Sequence, residues 1–345
     1  MKKMMIRQMM ILFAFILGMS SCSKEEDDQV YAGFDVSQGP YLAPCKAFFY
    51  NQSQDADTYL WDFGDGSTSG EINPEHTYES AGIYKVVLTA SKGSDAKTYT
   101  RSLHITDPVP VVSAPPDSLG LDPFYKKYLD ANGIPVISSD NVPDEALIKV
   151  MEVVNWMMQE IPEVREQIIA FHGRVGIMSK DEVTTDIPEH AFLANDTLIN
   201  WDTRARGLGG TVAVPISTCA EENVLCYDAD PYSTEDIMIH EFAHSIHLMG
   251  LMHVYSDFIP ELTQAYNQAL AAGKWQNTYA ATNIEEYWAE GVQNWFDCNS
   301  ESDPPNGVHN HVNTRAELME YDMGLYTLLE KYFTSGTKAI SCHNE

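Results

Sequence analysis

The chain has 345 residues, 44% of them hydrophobic and 11% aromatic, a composition that supports packed domains and excludes a disordered or low-complexity protein. Its 50 acidic residues against 21 basic ones give a formal charge of −29, which argues against nucleic acid or an anionic membrane surface as an electrostatic partner. The length suffices for two domains, and the residue pattern changes character near residue 107.

At the N-terminus, Lys2, Lys3 and Arg7 surround the start of a short apolar run, Met9 to Gly18, which has the layout of an export signal and not of a transmembrane helix. Met19-Ser20-Ser21-Cys22 resembles a bacterial lipobox, and the acidic stretch from Ser23 to Asp28 resembles the tether of Bacteroidetes-type surface lipoproteins. That resemblance implies a signal peptide over 1–21, lipid attachment at Cys22 and an acidic tether over 22–30. It also implies an exported protein held in the outer membrane and exposed at the cell surface, meeting the membrane only through its anchor. Export permits disulfides: Cys219 with Cys226 and Cys298 with Cys342 is one pairing, leaving Cys45 free, and reduced buried thiols are the other reading.

Residues 31–107 read as short strands separated by turn clusters, the pattern of an all-β sandwich. Ala47 to Tyr50, Thr58 to Trp61 and Tyr84 to Thr89 carry the β-branched and aromatic residues of three of them. Trp61-Asp62-Phe63-Gly64-Asp65-Gly66, then Asn73-Pro74-Glu75-His76-Thr77-Tyr78 and Gly82-Ile83-Tyr84, resemble the signature of PKD domains. The resemblance implies an immunoglobulin-like sandwich serving as a spacer, or as a module that binds extracellular protein or glycan, beside secreted hydrolases. Within it, His76 is expected to hydrogen-bond structurally, and Asp62 and Asp65 to stabilise turns in preference to binding calcium. Residues 108–119, rich in proline, read as a semi-rigid linker.

Beyond the linker, over 120–345, helical periodicity takes over and the reading is an α+β, mainly helical domain. Ala146, Leu147, Val150, Val153, Val154 and Met157 recur at helical spacing, and Pro162 divides two helices. Arg174 to Met178 and Thr211 to Ile216 are candidate strands, the second with Pro215 suited to a sheet edge above an active-site helix. The Gly207-Leu208-Gly209-Gly210 cluster is read as a turn, since it matches no nucleotide-binding loop. A further helix is expected near 315–333.

His240-Glu241-Phe242-Ala243-His244 is an H-E-x-x-H string. On a helix, the i, i+4 spacing stacks His240 and His244 on one face, with Glu241 beside them as a proton acceptor. Ser233 as N-cap and Gly250 as C-cap predict that helix over 234–249. A metzincin third ligand fails because His247 and Gly250 stand where that pattern needs Gly and His. His247 is therefore read as a supporting or packing residue, and His253 as a weak ligand candidate. A second helix is predicted from a capping box, Thr282-Asn283-Ile284-Glu285, and presents Glu286 and Glu290 on one face. One of the two can ligate while the other orients a ligand.

Glu286-Tyr287-Trp288-Ala289-Glu290, 42 residues after His244, resembles the downstream helix of gluzincins of the anthrax lethal factor type. The resemblance implies a zincin-like metallopeptidase domain with zinc on His240, His244 and Glu286, Glu241 as base, Glu290 behind the ligands, and Tyr279 stabilising the oxyanion. The function so implied is zinc-dependent hydrolysis of protein or peptide. The rival reading is an adhesin or glycan-binding lipoprotein with a structural or degenerate zinc site, and zinc hydrolysis of a non-peptide bond is a third.

Overall fold

The computed structural model describes residues 29–39, 41–333 and 343, so the expected signal peptide, Cys22, most of the tether and Cys342 lie outside the described residues. The chain divides into two compact units between Val109 and Pro110.

The first unit is a two-layer β-sandwich. One sheet, in the order β1-β2-β5, comprises β1 (Phe34–Val36), β2 (Cys45–Asn51) and β5 (Glu75–Tyr78); the other, β4-β3-β6-β7, comprises β3 (Thr58–Asp62), β4 (Thr68–Ser69), β6 (Gly82–Lys92) and β7 (Asp95–Ile105). All pairings between these strands are antiparallel. Alternation along β2 buries Ala47 and Phe49 while Lys46, Phe48 and Tyr50 face solvent, as a half-buried strand requires. Trp61 is fully buried between Phe34 and Phe49, its indole N–H satisfied by the Glu71 carbonyl at 2.9 Å. His76 stacks on Phe63 with ring centroids 4.2 Å apart and meets Asp65 Oδ2 at 2.7 Å. Asp62 and Asp65 accept the Gly64 and Ser67 N–H groups, so these three residues hold the turn together.

The second unit carries a four-stranded mixed sheet in the order β11-β10-β9-β8. Its strands are β8 (Lys127–Ala131), β9 (Ile134–Ser138), β10 (Arg174–Met178) and β11 (Ile216–Ala220). β8 and β9 form a hairpin through Asn132 and Gly133, both at positive φ as a tight two-residue turn demands. The crossover from β9 to the parallel β10 contains α1 (Asp144–Met157) and α2 (Pro162–Ala170), with Pro162 in the first turn of α2, where a missing N–H costs nothing. The crossover to β11, also parallel, contains α3 (Trp201–Arg204). α4 (Glu221–Val224), α5 (Ile237–Ser245), α6 (Met252–Val254), α7 (Phe258–Ala271), α8 (Ile284–Trp295), α9 (Arg315–Tyr321) and α10 (Met323–Glu330) complete the unit. Its core gathers Trp288, Trp295 and Tyr287 of α8, Phe258 of α7 and Trp275 of the turn after α7 onto the aliphatic residues of the sheet. Among the described residues no helix is long and apolar enough to cross a membrane.

Several sequence expectations shift. The second strand is Ile216–Ala220 and not 211–216: Thr211 to Val214 close a turn through Thr211 N–H to Val214 O, and pairing begins only after Pro215. Near 315–333 there are two helices, divided at Asp322, whose side chain caps α10 by accepting the Leu325 N–H. The pairings Cys219–Cys226 and Cys298–Cys342 do not form, and the other reading holds for two of these residues: Cys219 and Cys298 are free, fully buried thiols. Cys226 is disulfide-bonded, and Cys45 is free as expected.

Candidate metal centre

α5 begins three residues later than the sequence suggests because Asp236, and not Ser233, is its cap, accepting the Ile239 N–H at 3.0 Å. After Ser245 the helix continues as a π-helical turn, Ile246–Leu251, so Gly250 lies inside the helical segment and does not end it. Gly250 serves contact instead: a Cβ there would strike Val164 of α2. On α8 the cap is Asn283, whose side chain accepts the Glu286 N–H at 2.8 Å, in place of the expected Thr282–Glu285 box. That bond ties the backbone of Glu286 itself to the start of the helix. The Trp288 indole N–H donates to the Ala243 carbonyl at 2.9 Å, a direct bolt between α8 and α5.

These two helices bring His240, His244 and Glu286 together, one ligand atom from each lying within 4.8 Å of the others. Glu286 Oε2 is 3.2 Å from His240 Nε2 and 3.5 Å from His244 Nε2. Behind the cluster, His240 Nδ1 meets Gln293 Oε1 at 2.8 Å. The Gln293 amide donates in turn to the Asp236 carbonyl at 3.1 Å and toward Glu235 Oε2 at 3.4 Å. With both ends of the amide engaged, its oxygen must face His240, so Nδ1 is the nitrogen that stays protonated and Nε2 the one that would give up its proton to a metal. Glu290, expected to orient a ligand, lies at 3.7 Å from His240 Nδ1 and is bound through Oε2 to Asn299 at 3.0 Å.

Burial alone would lower the pKa of His240, but the Glu286 hydrogen bond and the charges of Glu241 and Glu290 reverse this and raise it to about 10. Burial likewise opposes ionisation of Glu286, and the two histidines overrule it, holding its carboxyl far below the usual range. Glu241 stays raised, because burial and its neighbours Glu286 and Glu235 outweigh the histidines. Burial, then Glu286, pushes the Tyr279 phenol to about 12, so it is a donor at neutral pH. Tyr279 lies over His240, with ring centroids 6.4 Å apart.

Two imidazoles and a carboxylate converging with no lysine or arginine among them form a donor set suited to a borderline-soft dication such as zinc. They line a cleft of about 580 Å³ together with Glu241, Tyr279, Glu285 and Glu290. A hollow of about 670 Å³ elsewhere in this unit is slightly larger, but its Arg174 and Glu189 side chains pair with each other at 2.6 Å and no ligand cluster lies there.

His247 and His253 stay outside the cluster. His247 packs on Phe258 and Trp288, and burial lowers its pKa to about 3, so it is a neutral core residue. His253 packs against Phe171. Three contributions carry little signal in the sequence. Gln293 and His309, which meets Glu235 at 3.3 Å, belong to no metal motif. The third is the glycine cluster: a Cβ on Gly209 would strike His244, one on Gly207 would lie 2.9 Å from Glu241 Cγ, and one on Gly210 would strike Ser245. Glycines let this segment lie directly on α5. A cluster matching no phosphate loop yet followed by a strand was the available clue.

Comparison with known proteins bears on the first unit. Residues 41–106 match the PKD domain family. The first unit is a PKD domain. The match extends through this PKD domain to Collagenase ColQ1 of Bacillus cereus, 46% identical over 71 residues, and to Pre-pro-metalloprotease PrtV of Vibrio cholerae, 42% identical over 64 residues. Those alignments cover 18% and 17% of this chain, which spans only 7% of the length of each relative. Among solved structures, the PKD1 domain of Vibrio anguillarum Epp is 29% identical, covering 23% of this chain and 96% of that one at a TM-score of 0.21. The PKD1 domain of PrtV is 31% identical, covering 23% and 98% at a TM-score of 0.20.

Proposed function

We propose that the second unit is a zincin-like metallopeptidase domain, making the protein a zinc-dependent endopeptidase of the cell surface, anchored by lipid at Cys22. The observation that carries this reading is the meeting of His240, His244 and Glu286 in an open cleft with Glu241 beside them. The PKD domains of a collagenase and a metalloprotease lend it weaker support. Zinc held by those three residues would supply a Lewis acid that polarises a carbonyl and acidifies water. Glu241, its carboxyl raised by burial above its ordinary value, accepts the proton of the attacking water and passes it to the leaving amine. Tyr279, protonated, donates to the oxyanion that develops on the carbonyl. Gln293 fixes the tautomer and ring plane of His240.

The chain beside β11 offers a backbone edge for the substrate. The Thr218 N–H donates to the Leu208 carbonyl at 2.8 Å and the Leu208 N–H to Thr218 Oγ1 at 3.0 Å, so Leu208 faces β11 and the backbone groups of Gly207 and Gly209 face away from it. These residues line the cleft and take the role expected of 211–216. A structural zinc site closes with a fourth protein ligand, whereas the cluster here has three among the described residues. The test is metal analysis with a peptide-library digest of the full chain against Glu241→Gln. The variant should keep its zinc and lose about 10²–10⁴-fold in turnover; undiminished cleavage would sink the assignment.

A further inference from the structure

Arg204 ends the short α3 on the wall of the cleft that holds the ligand cluster. Every other arginine among the described residues has a partner. Arg206 grips Glu222 at 2.7 Å and 3.0 Å, Arg174 grips Glu189, Arg101 faces Asp35 at 3.9 Å, Arg165 binds the Ala131 carbonyl, and Arg315 binds the Trp295 carbonyl. The exposed side chain of Arg204 has neither hydrogen bond nor ion pair among the described residues, in a chain with 50 acidic residues. Its charge nevertheless reaches the site: against the rise that burial imposes, it lowers the phenol pKa of both Tyr232 and Tyr279.

The remaining ionisable groups of the cleft are Glu235, Glu241, Glu285, Glu286, Glu290 and the two ligand histidines, apart from Arg206, whose charge Glu222 already meets. A negatively charged group of a substrate is repelled by those carboxylates and attracted only by the metal and by Arg204. Ile199, Trp201, Ile237, Leu248 and Val308 complete the walls with apolar surface, which strengthens a guanidinium–carboxylate pair relative to one on open surface. Resting on the peptidase reading, we infer that Arg204 receives a carboxylate of the substrate and so fixes where that carboxylate lies relative to the scissile bond. The carboxylate is either an Asp or Glu side chain or the C-terminal carboxylate of a peptide.

Internally quenched peptides in matched pairs separate the two sources: Asp against Asn and Glu against Gln at each position flanking the scissile bond, and free acid against amide at the C-terminus. With the zinc-loaded full chain, one acid series should exceed its amide isostere at least about tenfold in kcat/KM, as a charge-assisted guanidinium–carboxylate pair supplies. The ratio should fall to near one in Arg204→Gln and survive in part in Arg204→Lys. No acid preference in the wild type, or the same preference in Arg204→Gln, overturns the inference. If no peptide is cut, the peptidase reading fails and binding decides Arg204 separately. Fluorescence anisotropy of the same peptides on zinc-loaded Glu241→Gln and on Glu241→Gln/Arg204→Gln should show acid-selective binding lost in the double variant, and its absence from the first overturns the inference.

Discussion

At the scale of single residues, the centre depends on groups whose identity a motif does not specify. H-E-x-x-H announces His240, Glu241 and His244 because a helix repeats every 3.6 residues and the ligand face follows from counting. Glu286 is legible for the same reason on its own helix. Gln293 is not: an amide three residues past Glu290 looks like any helix residue until its two ends are seen bridging His240 and the Asp236 carbonyl. His309 is further removed still, arriving from a loop to meet Glu235, which reaches Gln293. Burial works against the charge of His309, but the hydrogen bond and charge of Glu235 prevail and raise its pKa; the same pair lowers that of Glu235 against burial. The raised histidine stabilises fully below its unfolded value of about 6.5 and loses this as pH climbs through its folded value. The lowered carboxyl stabilises above about 4.3 and loses this as pH falls through its folded value. Chemical denaturation of wild type against His309→Leu should therefore show the largest stability difference between about pH 4.5 and 6.5, narrowing on the alkaline side. A difference that grows with pH above 7 would contradict the pairing.

At the scale of elements, propensity and capping locate the helices to within a few residues but mistake which polar residue caps. Asp236 and Asn283 win over Ser233 and Thr282 because the first paired turn is set by how α5 and α8 seat on each other, through the Trp288 bond to Ala243, and the cap is whichever side chain then reaches a free N–H. The glycine cluster teaches the same lesson. Its small residues are visible, but the reason for them is the face of α5 lying against them. Gly209→Ala should push this segment off His244, costing about 1–3 kcal/mol of stability as overpacking does and weakening zinc binding as well. Gly70→Ala, with only ordinary contact at 3.8 Å and no special φ, is the control that should stay near wild type. Thermal denaturation and a zinc competition titration read both effects, and equal behaviour of the two variants would refute the contact argument.

At the scale of the molecule, each unit has its own buried core, one around Trp61, Phe49 and Tyr78 and the other around Trp275, Trp288 and Trp295. Calorimetry of the full chain should resolve two transitions that match those of 29–109 and 110–345 made separately, and chelation should lower only the one belonging to the second piece. A chelator that moves both equally would tie the metal to the wrong unit. The sequence by itself determined the two kinds of architecture, the PKD domain, the two helices of the centre and their four acid and imidazole groups, since all of these follow from period, local turn chemistry and contiguous motifs. The tertiary structure alone decided the free state of Cys219 and Cys298, the neutral packing of His247, the glycine-lined edge over α5, the Gln293 link and the Arg204 side chain left unpaired among the described residues. Each of these depends on which surfaces distant segments bring within a few ångströms, and sequence spacing carries no record of that distance.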